Sequence, residues 1–185
     1  MHIDKELINA CLENDRLAQN SLYKLVFSYL MSHCIRYKKD YQTAGNSLNG
    51  IFLKILTHLG DYDVEGSSFQ AWIKRIAVNQ LIDEYRKEER EKKHLVFEEK
   101  LNSNELNHSS YDRQMLEMES EYLRRMISEL PPKTAAVFNL YAIDGYKHKE
   151  IAEMLDISIN TSKWHLSDAR KKLQARLELE KNTIE

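Results

Sequence analysis

The sequence predicts an all-α protein of two helical domains joined by a flexible polar linker, and three observations carry that prediction. Only five Gly and two Pro occur in 185 residues, too few breakers for a chain built on tight turns. Apolar residues recur at i, i+3, i+4 and i+7 through most of the length, the period of a helix that buries one face. Between His94 and Ser110 that period stops in a polar run containing Asn102, Ser103, Asn104, Asn107, His108, Ser109 and Ser110, which has no apolar period with which to bury a face. At 42% apolar content each half can enclose a small core.

The elements follow from the same period. A short helix spans about Asp4 to Glu13. Leu22, Leu25, Val26, Tyr29, Leu30 and Cys34 mark a long one from about Leu17 to Tyr37. Leu48, Ile51, Phe52, Ile55, Leu56 and Leu59 place a third over Ser47 to Leu59. Gly60, Asp61, Asp63, Gly66 and Ser67 then make 60–68 a turn-rich segment. Phe69, Trp72, Ile73, Ile76, Ala77 and Leu81 restart the period in a fourth helix reaching about Arg90, with Phe69 and Trp72 in the core. The expected domains are 1–92 and 112–185, with 93–111 as a linker able to reach roughly 70 Å when extended. The second domain is expected to hold helices over Asp112 to Glu129, Lys133 to Ala142, Lys147 to Leu155, and Ile159 to about Glu178. Pro131 and Pro132 begin the second of these, where a missing N–H costs least.

Several classes are excluded. No apolar run approaches the ~20 residues of a membrane span, and the opening MHIDKELINACLEND lacks a basic start followed by an apolar stretch, so a cytoplasmic protein is expected. Cys11 and Cys34 have no metal-ligand spacing, and the His33-Cys34 pair has no second pair to complete a tetrahedral site. Both are expected as reduced thiols, with no metal and no cofactor. Gly-rich phosphate loops and nucleophile elbows are absent, so no enzyme is expected. The net charge of −2 hides a segregation. Between Lys147 and Arg176, Lys147, Lys149, Lys163, Arg170, Lys171, Lys172 and Arg176 outnumber Glu150, Glu153, Asp156 and Asp168. Between Glu98 and Glu121 the acids dominate. The acidic middle offsets basic ends, which leaves a local affinity for nucleic acid.

Two constellations carry chemistry. Lys147 to Leu173, KHKEIAEMLDISINTSKWHLSDARKKL, reads as helix, three-residue turn and second helix, the arrangement that holds a side-chain row in the DNA major groove. Ile151, Ala152 and Leu155 face inward, Ile157 plugs the turn, and Ile159, Leu166, Ala169 and Leu173 continue the stripe. Asp156 stands where a left-handed residue is wanted, and Ser158 is the natural N-cap of the second helix. Asn160, Thr161, Lys163, Trp164 and His165, with Lys149, Arg170 and Lys171, supply donors and cations for base edges and phosphates. A plain bundle corner is the alternative, and Trp164 has two readings, facing DNA or folding back on the preceding helix. The second constellation is Arg75, Asn79, Asp83 and Arg86, at i, i+4, i+8 and i+11, flanked by Lys74; its alternative is a solvated face with intrahelical pairs.

GSSFQAWIKRIAVNQLIDEYRK, Gly66 to Lys87, resembles regions 2.3 and 2.4 of the extracytoplasmic-function group of bacterial sigma-70 factors, and Leu130 to Leu173 resembles region 4 of the same group. The resemblance covers nearly the whole chain and is weakest in the linker. It implies that 1–92 is a sigma domain 2, which binds the β′ clamp helices of core RNA polymerase and opens the −10 element, and that 112–185 is a sigma domain 4, whose helix-turn-helix reads the −35 element. It further implies contact with the β flap, promoter DNA as duplex at −35 and single strand at −10, and an anti-sigma factor. In the −10 site, Tyr62, Asp63, Glu65, Ser67 and Ser68 are expected to offer edges to an extruded base. Lys74, Arg75, Asn79, Asp83 and Arg86 are expected along the opened strand.

One departure stands out. Where the family carries a pattern like A-E-D-L-V-Q-E-x-F-L, this chain has Ala44, Gly45, Asn46, Ser47, Leu48, Asn49, Gly50, Ile51, Phe52 and Leu53. The apolar residues survive and the carboxylates do not, which removes charge-assisted bonds to basic clamp residues. Asn46, Leu48, Asn49, Phe52, Leu53 and Leu56 remain as the expected polymerase contacts. The alternative function is a sigma-like regulatory module that binds DNA or an anti-sigma factor without productively joining polymerase. In the second helix of the helix-turn-helix, Trp164 and His165 replace the small residue and Arg more often seen, which implies an altered −35 specificity.

Overall fold

The computed structural model describes residues 3–38, 40–64, 66, 68–98 and 118–184, and every regular element among them is helical. The chain forms two compact units, 1–105 and 106–185. In the first, α1 (Lys5–Leu12) leads through a corner at Asn14, φ 63°, into α2 (Arg16–Tyr37). Next come α3 (Tyr41–His58), a 3₁₀ turn (Leu59–Asp61), and α4 (Phe69–Glu98). Asp4, Asp15 and Asp40 cap the first three helices, accepting from the backbone N–H groups of Leu7, Leu17 and Thr43 at 2.6, 2.7 and 2.8 Å. Each satisfies a donor that the helix itself cannot.

Leu22, Val26, Leu30 and Cys34 of α2 meet Leu48, Ile51 and Ile55 of α3 and Ile73, Ala77 and Leu81 of α4, and all are fully buried. Phe69 is buried and Trp72 packs against the cluster. Leu25, expected on the buried stripe, is 39% exposed because the α2 face is narrower than its apolar content. At one end of the bundle an ionic cluster ties the three helices together. Lys38 Nζ reaches Glu84 at 2.9 Å and Glu88 at 2.6 Å, while Ser47 Oγ and Gln80 Nε2 donate to Glu84 at 2.6 and 2.9 Å. Burial works to raise the Glu84 carboxyl, but the bonds from Ser47, Gln80 and Lys38 outweigh it and hold the group below its ordinary value. Both cysteines are unpaired and buried, and desolvation, followed by the Glu84 charge, pushes the Cys34 thiol up to about 12.

Several boundaries differ from the sequence expectation, among them the end of the last helix, which runs to Ile184 rather than about Glu178, while residues 112–117, expected to begin the helix ending near Glu129, lie outside the described residues. Helix α3 begins at Tyr41 rather than Ser47, because Asp40 supplies a cap that sustains a first turn of Tyr41, Gln42 and Thr43. Helix α4 runs to Glu98, into the segment expected as linker; residues 99–111 of that linker lie outside the described residues. The helix expected over Lys133 to Ala142 is divided. Its first part, α6 (Pro132–Phe138), starts on Pro132 at N1, and the chain then widens into a π turn (Asn139–Ile143), closed by Asp144 N–H donating to Asn139 O at 2.9 Å.

The second unit otherwise contains α5 (Met118–Ser128), α7 (His148–Leu155) and α8 (Ile159–Ile184). Met126, Ile127, Leu130, Ala169 and Leu173 pack together, with Val137, Leu140, Ile151 and Leu166 also enclosed. No described helix is long and apolar enough to cross a membrane.

Candidate nucleic-acid interface

The helix-turn-helix is built as its residues require. Asp156 closes α7 in the left-handed region, φ 52° and ψ 56°, and the next N–H, of Ile157, returns to Ala152 O at 3.0 Å. Ser158 Oγ accepts from Thr161 N–H at 3.0 Å and lies 2.8 Å from the Thr161 hydroxyl, which caps α8. Thr161 is thereby half-buried and engaged in the cap. The inward stripe of α8 is Ser162, Leu166, Ala169 and Leu173. Ile159, expected to begin it, is 44% exposed, and Ser162 takes its place.

Two histidines fix how α8 is rotated. Ser162 Oγ lies 3.0 Å from Nδ1 of His148 on α7, whose ring stacks on Tyr141 at 4.5 Å between centroids. On the other flank His165 Nδ1 lies 3.0 Å from Oγ1 of the buried Thr134 on α6. Burial first, then the charges of Lys163 and Arg170, lowers His148 from its ordinary value. Burial and Lys133 do the same to His165, against the opposing Asp168. Both rings therefore favour the neutral form, which suits a hydrogen bond with a hydroxyl. The Nδ1 edge of the half-buried His165 ring is thereby turned toward α6. Neither Ser162 nor Thr134 stood out in the sequence, although a Ser on an apolar stripe is a signal that a buried partner awaits it.

Opposite the inward stripe, at 100° per residue, lie Asn160, Trp164, Ser167 and Lys171, all exposed, with Trp164 at 61%. Trp164 does not fold back; its ring touches only the edge of His165 among described aromatic contacts. Lys149, Lys163 and Arg170 are exposed alongside. Lys172 is engaged by Asp168 at 2.8 Å, and Arg176 is paired with Glu129. Among the residues of α8 whose side chains are described, the exposed cations outside these ion pairs are Lys163, Arg170 and Lys171, in its first half.

In the first unit, Arg75, Asn79, Asp83 and Arg86 form one exposed line along α4, and Lys74 beside them is half-buried. Asp63 and Ser68 are exposed, and Ser68 O accepts the Trp72 N–H at 3.0 Å. Ser67 and Glu65 lie outside the described residues. Tyr62 is half-buried with its ring 5.2 Å from Phe69 and 5.3 Å from Trp72, so it anchors the loop to the core. Beside this loop lies a recess of about 210 Å³ that no sequence pattern announced, walled by Ile8, Leu12, Leu59 and Val64 with Lys5 and Asn9 at its polar side.

The α3 residues separate into two sets. Asn46, Asn49 and Leu53 are exposed and Phe52 and Leu56 half-buried; the Tyr23 hydroxyl donates to Asn49 Oδ1 at 3.2 Å and its ring meets Phe52 edge-on at 4.9 Å. Leu48, expected among the contact residues, is fully buried, so its side chain supports this face from within the core. Space is open around both Gly45 and Gly50: a Cβ at either meets nothing within 4 Å.

Comparison with known proteins fits this arrangement. The family profile Sigma-70 region 2 matches residues 21–91, and Sigma-70, region 4 matches residues 120–173. The chain is 28% identical over 166 residues to the Bacillus subtilis RNA polymerase sigma factor YlaC, covering 87% of this chain and 89% of that protein. It is 27% identical over 139 residues to sigma factor SigZ of the same organism, 75% of each chain. A structure of the sigma factor RpoE with the anti-sigma factor NepR from Bartonella quintana shares the fold, with a TM-score of 0.52 at 20% identity over 86% of this chain and 96% of that one. With both regions matched in order and sigma factors as relatives along most of its length, the chain belongs to the sigma-70 family, in its extracytoplasmic-function group, and acts in transcription initiation.

Proposed function

We propose a division of labour between the two units. In residues 1–92, the α4 line of Arg75, Asn79 and Arg86 holds the opened −10 strand, and the loop of Tyr62, Asp63, Ser67 and Ser68 receives an extruded base. Asp83 and Lys74 set the charge of that line. The exposed side of α3, Asn46, Asn49, Phe52, Leu53 and Leu56, meets the β′ clamp helices. In residues 112–185, α8 enters the −35 major groove through Asn160, Lys163, Trp164 and Lys171, with Lys149 and Arg170 on phosphates, and the same unit meets the β flap. An anti-sigma factor covers one of these surfaces when the protein is inactive. The chain has no active site of its own and works in the cytoplasm, where polymerase and promoter DNA meet.

The observation that carries this reading is the presence of two exposed polar and cationic lines, one on each unit, each opposite an inward, core-forming stripe. Promoter-specific run-off transcription with added core enzyme tests it: discrete transcripts are expected, and their absence with folded protein would sink it. A second reading, a regulatory module that does not productively join polymerase, is favoured by the uncharged segment Gly45 to Gly50. Core-enzyme binding separates the two. Tight binding by the unmodified chain supports the working sigma factor. Binding only by a version carrying Gly45→Glu, Asn46→Asp, Asn49→Gln and Gly50→Glu supports the regulator, and the open space at both glycines admits those side chains.

A further inference from the structure

Among the described residues of the second unit, the most exposed aromatic ring stands in the middle of the polar face. Trp164 is 61% exposed, on the side of α8 opposite Ser162, Leu166, Ala169 and Leu173, and that inward side is already fully packed. Its neighbours on the exposed line are Asn160 one turn before it and Lys171 about two turns after, with Lys163 and Arg170 at the flank. The rotation of the helix is fixed on both sides, by His148 with Ser162 and by His165 with Thr134. The helix thus cannot rotate to bring the Trp164 position inward without breaking one of these pairs.

An apolar ring set among donors and cations matches one surface with both features. The major groove is negative along its walls, and its only apolar feature is the thymine 5-methyl group. Asn is suited to the paired acceptor and donor of adenine, and residues four apart on a helix are separated by about 6 Å along its axis, close to two base-pair steps. We propose that Trp164 is a specificity-determining residue that packs on the 5-methyl group of a thymine in the −35 duplex, with Asn160 reading an adenine about two base pairs away. The assignment rests on the reading that α8 enters the −35 major groove. An acidic protein surface would satisfy the same cations, but it would not distinguish thymine from uracil.

The test uses holoenzyme assembled from the full chain. Its preferred upstream element is first selected from a randomised promoter library, and each thymine of that element is then replaced singly by deoxyuridine, which removes the methyl and nothing else. At one position, promoter binding by the unsubstituted protein is expected to weaken about fourfold, the effect of unburying one methyl. Trp164→Ala is expected to abolish that difference, and Trp164→Phe to retain part of it. Because the ring is exposed, the Ala variant is expected to fold, with helicity by circular dichroism as the control. An element with no preferred thymine, insensitivity to every deoxyuridine, or a sensitivity that persists in Trp164→Ala would overturn the proposal. Asn160→Ala and Lys163→Ala distinguish the two levels of failure. If these alter the selected element while the methyl is silent, only the Trp164 assignment falls. If they and Trp164→Ala all leave the element unchanged, the −35 reading of α8 falls with it.

Discussion

The two glycines of α3 show how far one atom decides between stability and contact. Gly45 and Gly50 sit within a continuous helix, where each costs about 1 kcal/mol relative to Ala, and neither has a neighbour that a Cβ would meet. No close approach or left-handed angle requires them; among the described residues positive φ occurs instead at Asn14, Gly145 and Asp156. Gly45→Ala and Gly50→Ala are therefore each expected to stabilise the protein by about 0.5–1 kcal/mol, read as a rise in the midpoint of chemical denaturation. A fall at either position would mean that the bare backbone is needed in the free protein. At this scale the sequence was informative where a residue acts through its own backbone. Asp156 takes the left-handed angle and Ser158 the cap that their types favour. It misled where the neighbour decides: Ile159 has the apolar side chain but stands out of phase with the inward stripe, while the small Ser162 fits beneath His148.

At the scale of elements, the sequence located the described α-helices but not every end. Tyr41, Gln42 and Thr43 carry no buried face, so the start of α3 shows in the bonds that Asp40 accepts from Thr43 and Ala44 and not in the apolar period. The recess beside α1 arises where 5–12 meets 59–64, segments far apart in the chain, which no local pattern records. The same is true of the cluster joining α2, α3 and α4. Lys38, Ser47, Gln80 and Glu88 converge on or beside Glu84, whose side chain is 24% exposed. Removing the charge by Glu84→Gln leaves Lys38 partly buried against Glu88 alone, and the expected loss is about 2 kcal/mol at neutral pH. Because the folded state holds the Glu84 carboxyl below its ordinary value, its contribution is complete above the unfolded value and is lost as pH falls through the folded one. Burial opposes the Lys38 charge, but Glu88 and Glu84 more than restore it and raise that group, so its contribution disappears only as pH rises through the folded lysine value. Denaturation midpoints of the parent and Glu84→Gln should thus differ most near neutrality and converge as pH is brought below the ordinary carboxylate value. A difference that stays constant below that value would show that the carboxylate charge is not what the cluster stabilises.

On the proposed division of labour, the whole molecule joins two nucleic-acid faces that make opposite demands. The α8 face would meet a duplex whose shape it need not change, whereas the α4 line would hold a strand that has left its partner, at a cost of a few kcal/mol for each unstacked base. Binding to the two elements is then separable by mutation. Asn79 and Arg86 are exposed on α4 and lie away from the core of Ile73, Ala77 and Leu81, so Asn79→Ala with Arg86→Ala is expected to leave folding and −35 duplex binding intact. The loss should fall on strand opening, by roughly 10-fold or more if each interaction is worth about 1 kcal/mol. Permanganate reactivity of the −10 thymines in a holoenzyme–promoter complex reports that step directly. Reduced reactivity with unchanged protection at −35 is the expected outcome; equal losses at both elements would assign the two residues to general phosphate attraction, and unchanged reactivity would remove α4 from the opening step. Salt separates the first two cases independently. Lys171→Ala takes a cation away from the duplex face of α8 and so lowers the salt dependence of promoter binding, whereas Asn79→Ala alone, which removes a hydrogen-bonding group and no charge, lowers the amplitude of opening at every salt concentration.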